Sequence, residues 1–257
     1  MSRTVYNHPL YVTNLNTVNE KDKPIIEKKL IYVPHGVDTN LFKPQKKTKR
    51  FTFFACKGWN SGKEDRGGIQ YVIQAFVEEF SKDEPVDLKL KINPAYLNPS
   101  WDLKAELDKL GLKNKEDRPL IHINQENIDY KQMPKLYDGD VFVCATRGEA
   151  YNLPGLEAHS CGMPTIQTDF GGQTDYMQPD LDIYIPYTLS EVTTDVLNEG
   201  IQWATPDIKE LRKLMRWAYN NRSEVARRGK ILRENAMQHS WANSAKRLIE
   251  GLQKYED

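Results

Sequence analysis

The chain has 257 residues, 39% of them hydrophobic and 28% charged, with 36 Lys and Arg balanced by 36 Asp and Glu. A formal net charge of zero excludes nucleic-acid binding driven by a surplus of cations, and 13 Tyr, 8 Phe and 5 Trp supply too much bulky core material for a disordered chain. No apolar stretch approaches the ~20 residues that span a bilayer, and Met1-Ser2-Arg3-Thr4 leads into no signal-peptide core, so a soluble, cytoplasmic protein is expected. Cys56, Cys144 and Cys161 have neither the even number of a disulfide framework nor CxxC spacing, and read as small core residues.

Residues 1–28 are polar and poorly periodic, a lead-in rather than a domain. From residue 29 to 257 short β-branched or aromatic runs alternate with segments of helical period, which predicts a single Rossmann-like α/β domain: a parallel sheet with helices on both faces. The strands are expected at Leu30–Pro34, Phe51–Cys56, Val86–Ile92, Leu120–Asn124, Val141–Thr146, Thr165–Thr168 and Ile183–Tyr187. Ile69, Val72, Ile73, Phe76 and Phe80 form one apolar helical stripe. Pro154 opens a short helix that should end near Gly162. Helices over about 207–238 and 241–255 close the chain, with Leu211, Leu214, Met215 and Ala218 facing inward on the first.

Ligands of an open parallel sheet bind beyond the carboxyl ends of its strands, so the turns that follow the strands are the places to look. After the second predicted strand comes Lys57-Gly58-Trp59-Asn60-Ser61-Gly62-Lys63-Glu64-Asp65-Arg66-Gly67-Gly68. Glycines that admit close backbone approach, a helix start and three cations suit a di-anion such as pyrophosphate; the plain alternative is a solvated loop. The next such turn carries Glu149 and, inside the following helix, Glu157, a spacing that lets both carboxylates face one crevice and receive hydroxyl donors. The competing readings are an exposed loop acid at 149 and an acid at 157 favoured by the helix dipole. Asp169-Phe170-Gly171-Gly172-Gln173-Thr174-Asp175 supplies a third glycine turn on the same edge.

Taken in order, Val33-Pro34-His35-Gly36-Val37-Asp38-Thr39-Asn40-Leu41-Phe42, the cationic loop, Glu149-Ala150-Tyr151-Asn152-Leu153-Pro154-Gly155-Leu156-Glu157-Ala158, Thr168 through Asp175 and the closing Ser240-Trp241 resemble the C-terminal domain of retaining glycosyltransferase family 4. That family has the B-type fold of two facing Rossmann-like domains, and the resemblance covers about residues 29–255. It implies a nucleotide-sugar donor, no cofactor and no metal, with Glu149 on sugar hydroxyls, Glu157 on the ribose and Lys57 on the diphosphate. Tyr151 and the backbone of Asn152 and Leu153 would line the donor, and the base would lie near Asn124–Ile128. Resembling proteins often place Lys directly before the glycine that starts the helix. Gly67 stands there instead, which leaves Arg66, or failing that Lys63, as the second cation.

The same resemblance implies a hexosyl-type transfer to a glycan or other hydroxyl acceptor. Family members carry an N-terminal acceptor domain, so the chain reads as the donor-binding half, in need of a separate N-terminal-type partner or self-association. A non-catalytic sugar-nucleotide or glycan-binding module, and a sugar-nucleotide epimerase on the same fold, are the alternatives. Asp138-Gly139-Asp140 has the DxD look of metal-dependent transferases, but it precedes a strand, at the wrong end for the ligand edge, and reads as a turn. The histidines at 8, 35, 122, 159 and 239 lack ligand spacing and read as structural or surface residues.

Overall fold

A computed structural model describes residue 21 and residues 31–59, 65–93, 102–111, 119–192 and 202–254. Six strands form one wholly parallel sheet: β1 (Phe51–Lys57), β2 (Val86–Ile92), β3 (Leu120–Asn124), β4 (Val141–Cys144), β5 (Thr165–Thr168) and β6 (Ile183–Ile185). Their spatial order is β3-β2-β1-β4-β5-β6, so the chain runs outward from β1 in one direction and then returns to start again at β4. This doubly wound order puts its switch point between the carboxyl ends of β1 and β4, where such sheets hold their ligands.

Strand residues alternate between two cores, as the period of two requires. Phe53, Ala55, Leu88 and Val143 join Ile69, Ile73 and Phe76 of α1 (Ile69–Glu79) on one face, together with Leu211 and Met215 further along the chain. Phe54, Phe142 and Cys144 join Tyr137, Leu156 and Met163 on the other. Burial on both faces explains why β1 and β4 read as nearly continuous apolar runs. α2 (Leu103–Lys109) is capped by the Asp102 side chain, which accepts from Ala105 N, and α3 (Leu153–Ser160) follows β4.

The predicted strands at 51, 86, 120, 141, 165 and 183 are present, with three differences. Residues 31–36 form no strand; Val37 makes a single bridge to Ser240, and the apolar side chains are used elsewhere, Ile31 against Gly251. Ile183–Tyr187 breaks at Pro186, which has no N–H for the ladder. Beyond it β7 (Tyr187–Glu191) pairs antiparallel with β8 (Gln202–Pro206), a separate hairpin that the sequence pattern did not announce. The helix expected over 207–238 is two, α4 (Ile208–Asn220) and α5 (Arg222–Ala236), parted at Asn221, whose backbone leaves the helical region at φ −112°, ψ 44° while its side-chain amide also bonds Trp217 O. Leu211, Met215 and Ala218 are buried on α4 as expected. α6 (Trp241–Gln253) is capped by Ser240 Oγ, and the predicted lead-in over 1–28 lies, apart from residue 21, outside the described residues.

Candidate functional site

The end of β1 delivers Lys57, and the segment after β4 delivers Glu149, across the switch point. Lys57 Nζ lies 3.1 Å from Glu149 Oε1 and donates to Asn152 Oδ1 at 2.6 Å. Arg66 Nη1 reaches the same Glu149 oxygen at 3.1 Å and Gly148 O at 2.5 Å. The Glu149 and Lys57 side chains are only 14% and 10% exposed, whereas Arg66 is 62% exposed. Burial pushes the Glu149 pKa up, but the Lys57 and Arg66 charges outweigh it and hold the carboxyl below its ordinary value. Burial likewise works against the Lys57 ammonium; Cys144 and Glu149 beside it prevail and raise its pKa. Glu149 is therefore no exposed loop acid. It is the point at which two cations from separate segments converge.

The backbone enforces this geometry. Gly68, the N-cap of α1, has φ 78°, and a Cβ there would sit 1.9 Å from Ala145 O, so the helix can start this close to β4 only without a side chain. A Cβ on Gly67 would meet Gly58 O at 2.6 Å and Asp65 Oδ1 at 2.9 Å. No side chain as large as lysine could stand at 67 in this arrangement, and the cation beside it that reaches Glu149 is Arg66. Arg66 O accepts from Arg147 N at 2.9 Å, locking the cationic loop to the end of β4. Lys63 lies outside the described residues.

Glu157 sits in the second turn of α3 and is 9% exposed. Tyr137 OH donates to its Oε2 at 2.5 Å. Burial raises the Glu157 pKa against the opposing pull of Tyr137 and Lys57, the reverse of what a helix N-terminus alone would do. Tyr151, 7% exposed, donates to His35 O at 3.3 Å and packs its ring 4.9 Å from that of His35. Asn152 caps α3 at φ 62°, ψ 62°, a left-handed conformation that Asn tolerates, and Leu153 begins the helix. Sequence reasoning missed Tyr137 and the Asn152 side chain. An Asn directly before a Leu-Pro helix start was the available signal for the latter.

Asp138 and Asp140 hold the opposite edge. Both Asp138 oxygens lie 2.7 Å from Lys89 Nζ, and Asp140 accepts from Thr52 N at 2.9 Å and Lys47 Nζ at 3.2 Å, a turn at the amino ends of the strands. His159 is buried against Asp182, Nε2 to Oδ1 2.7 Å, a structural role. Among the described residues no three His, Cys, Asp or Glu side chains group to hold a metal ion, and no helix is long and apolar enough to cross a membrane.

No established family profile matches the chain. Over 194 residues it is 25% identical to the MMP alpha-(1->4)-mannosyltransferase of Mycolicibacterium hassiacum, which takes in 75% of this chain and 44% of that relative. Among solved structures, sucrose-phosphate synthase from Thermosynechococcus elongatus matches with TM-score 0.64 at 16% identity, over 87% of this chain and 52% of the other. Alr3699/HepE of Anabaena, solved in complex with UDP-glucose, matches with TM-score 0.60 at 16% identity, over 87% of this chain and 57% of the other. The chain thus spans about half the length of each of these three proteins, and the α/β domain built here, with its switch point between β1 and β4, has the fold of a domain found in glycosyltransferases.

Proposed function

We propose that the chain is the donor-binding half of a retaining glycosyltransferase of family 4 type, taking a nucleoside-diphosphate sugar and passing a hexosyl-type group to a glycan or other hydroxyl acceptor. The observation that carries this reading is the convergence of Lys57 and Arg66 on Glu149 at the switch point. A diphosphate placed there meets two cations from different segments, and Glu149 lies where a sugar joined to that diphosphate would present its hydroxyls. Glu157, beside Tyr137, would accept from the ribose.

In the reaction the sugar C1–phosphate oxygen bond breaks as the acceptor oxygen bonds C1 on the same face. The acceptor proton passes to the departing phosphate oxygen, so no protein base is required. Lys57 and Arg66 stabilise the negative charge that grows on the diphosphate. Glu149 binds and orients the sugar through its hydroxyls. The other wall of the cleft, with the acceptor site, would come from an N-terminal-type domain or a second copy, whose closure excludes water and aligns the acceptor. The alignment of the chain with about half of the mannosyltransferase and about half of the sucrose-phosphate synthase supports this division.

Calorimetric titration of UDP, GDP, ADP and their sugar derivatives tests the reading. Lys57→Ala should weaken binding by about 1.5–3 kcal/mol, the scale of a charged hydrogen bond. Arg66→Ala should cost less because its head group is largely in water. Unchanged affinity in both folded variants would place the diphosphate elsewhere.

A further inference from the structure

Among the described residues Asn152 is the one non-glycine at positive φ, it is 3% exposed, and its oxygen rather than its nitrogen faces the Lys57 ammonium. An amide turned over keeps its shape but would aim NH₂ at that ammonium. A chain of hydrogen bonds, with a direction set at a carboxylate, prevents it. Asp182, 2% exposed, accepts at Oδ1 from Thr165 N (3.1 Å), Thr165 Oγ1 (2.7 Å) and His159 Nε2 (2.7 Å), and at Oδ2 from Gln178 N (2.9 Å). Both Asp182 oxygens already accept backbone N–H donors, from Thr165 and from Gln178, and the Thr165 hydroxyl donates to the same Oδ1, so its proton points at Asp182. The Thr165 lone pairs then face Gln167, whose Nε2 donates to them at 2.7 Å. That leaves Gln167 Oε1 to accept from Asn152 Nδ2, and the Asn152 oxygen is thereby turned toward Lys57. Tyr176 OH, 2.8 Å from Asn152 O and 3.3 Å from Gln167 Oε1, packs the joint. Thr165 and Gln167 are wholly buried, so water offers neither a substitute partner.

We propose that Asp182, Thr165 and Gln167 are positioning residues for the diphosphate site: through this one-way chain they hold the Asn152 oxygen on Lys57 and so fix where the ammonium stands. The proposal rests on the reading of Lys57 as a phosphate ligand. An ammonium has three donors, and among the described residues Asn152 Oδ1 and Glu149 Oε1 take two of them. The third N–H is aimed by the other two. Without the Asn152 oxygen the flexible lysine stem would settle onto Glu149, and its charge would be met by that carboxylate instead of the ligand.

The test uses Thr165→Val, which keeps the shape and removes the hydroxyl, with calorimetric titration of UDP, GDP and ADP and a thermal melt of each variant. For whichever nucleotides bind the parent chain, affinity should fall about three- to tenfold, the equivalent of one neutral hydrogen bond. Thr165→Ser should restore it. Asn152→Gly keeps the positive φ and removes the last link, so in that background Thr165→Val should bring no further loss. If Thr165→Val does not fold, Gln167→Met cuts the same chain one residue nearer the site and takes its place. Parental affinity in the folded valine variant, failure of serine to rescue, or an equal loss with and without Asn152 would each overturn the proposal. Lys57→Ala separates the two levels: if it weakens binding and Thr165→Val does not, the positioning chain alone is wrong; if Lys57→Ala itself changes nothing, the phosphate site falls and the proposal with it.

Discussion

Replacing each glutamate by glutamine should move stability in opposite directions. Glu149→Gln leaves the Lys57 ammonium, 10% exposed, beside an amide where a carboxylate had been. Removing one partner of a buried ion pair costs about 3–5 kcal/mol, but glutamine keeps an oxygen for the ammonium, which trims the loss to about 2 kcal/mol, within the range for charged hydrogen bonds. The contribution of Arg66, 62% exposed, is small. Because the folded Glu149 carboxyl is held below its ordinary value of 4.5, its stabilisation is present above that pH and is lost as pH falls through the folded value. Glu157 behaves in the reverse sense. Its folded carboxyl is raised, so its contribution is present below the ordinary value and is lost as pH rises through the folded one. Glu157→Gln, which can still accept from Tyr137, should therefore be stabilising at pH 7, with a difference from the parent that vanishes in acid. Urea unfolding of the three proteins from pH 3 to 8 reads both effects. The same sign for both substitutions at pH 7, or a Glu149→Gln loss that does not fade in acid, would refute the electrostatic account of the site.

Three further outcomes follow from the same structure. Glu149→Ala should weaken a nucleotide sugar more than its free nucleotide, and Glu157→Ala both about equally; calorimetry on the two ligands checks this, and equal losses in both variants would remove the assignment of sugar to one and ribose to the other. Gly68→Ala, with its Cβ 1.9 Å from Ala145 O at φ 78°, should destabilise by at least about 1–3 kcal/mol, the range for local backbone strain, in denaturant unfolding. Leu248, Ile249 and Leu252 of α6 are 43%, 57% and 51% exposed, so a change of any one to Gln should leave the stability of the isolated chain within about 0.5 kcal/mol, while the purified monomer binds nucleotide without measurable sugar transfer to a hydroxyl acceptor.

Chain-local pattern was sufficient for most of the fold. Val86–Ile92, Leu120–Asn124 and Thr165–Thr168 stand where the sequence predicts, because apolar residues at a period of two (Val86, Leu88, Leu90 and Ile92; Ile121 and Ile123) or β-branched ones (Thr165, Ile166 and Thr168) mark them as strands. The meeting of Lys57 and Glu149 at the carboxyl-end edge was legible too, since in a parallel sheet that edge follows from the order of strand and turn. The strand expected at 30–34 failed because an apolar run does not say whether it will find a sheet neighbour, and the β7–β8 hairpin escaped notice because its residues are largely half-buried or exposed. What tertiary structure alone decided is the environment of each carboxylate. Tyr137 reaches Glu157 across 20 residues of sequence, and Lys57 reaches Asn152 across 95; nothing in a local window encodes such partners. Whether a glutamate is ionised, and which way an amide points, depends on desolvation and on the donors that packing brings within hydrogen-bond distance, and those are properties of the folded chain as a whole.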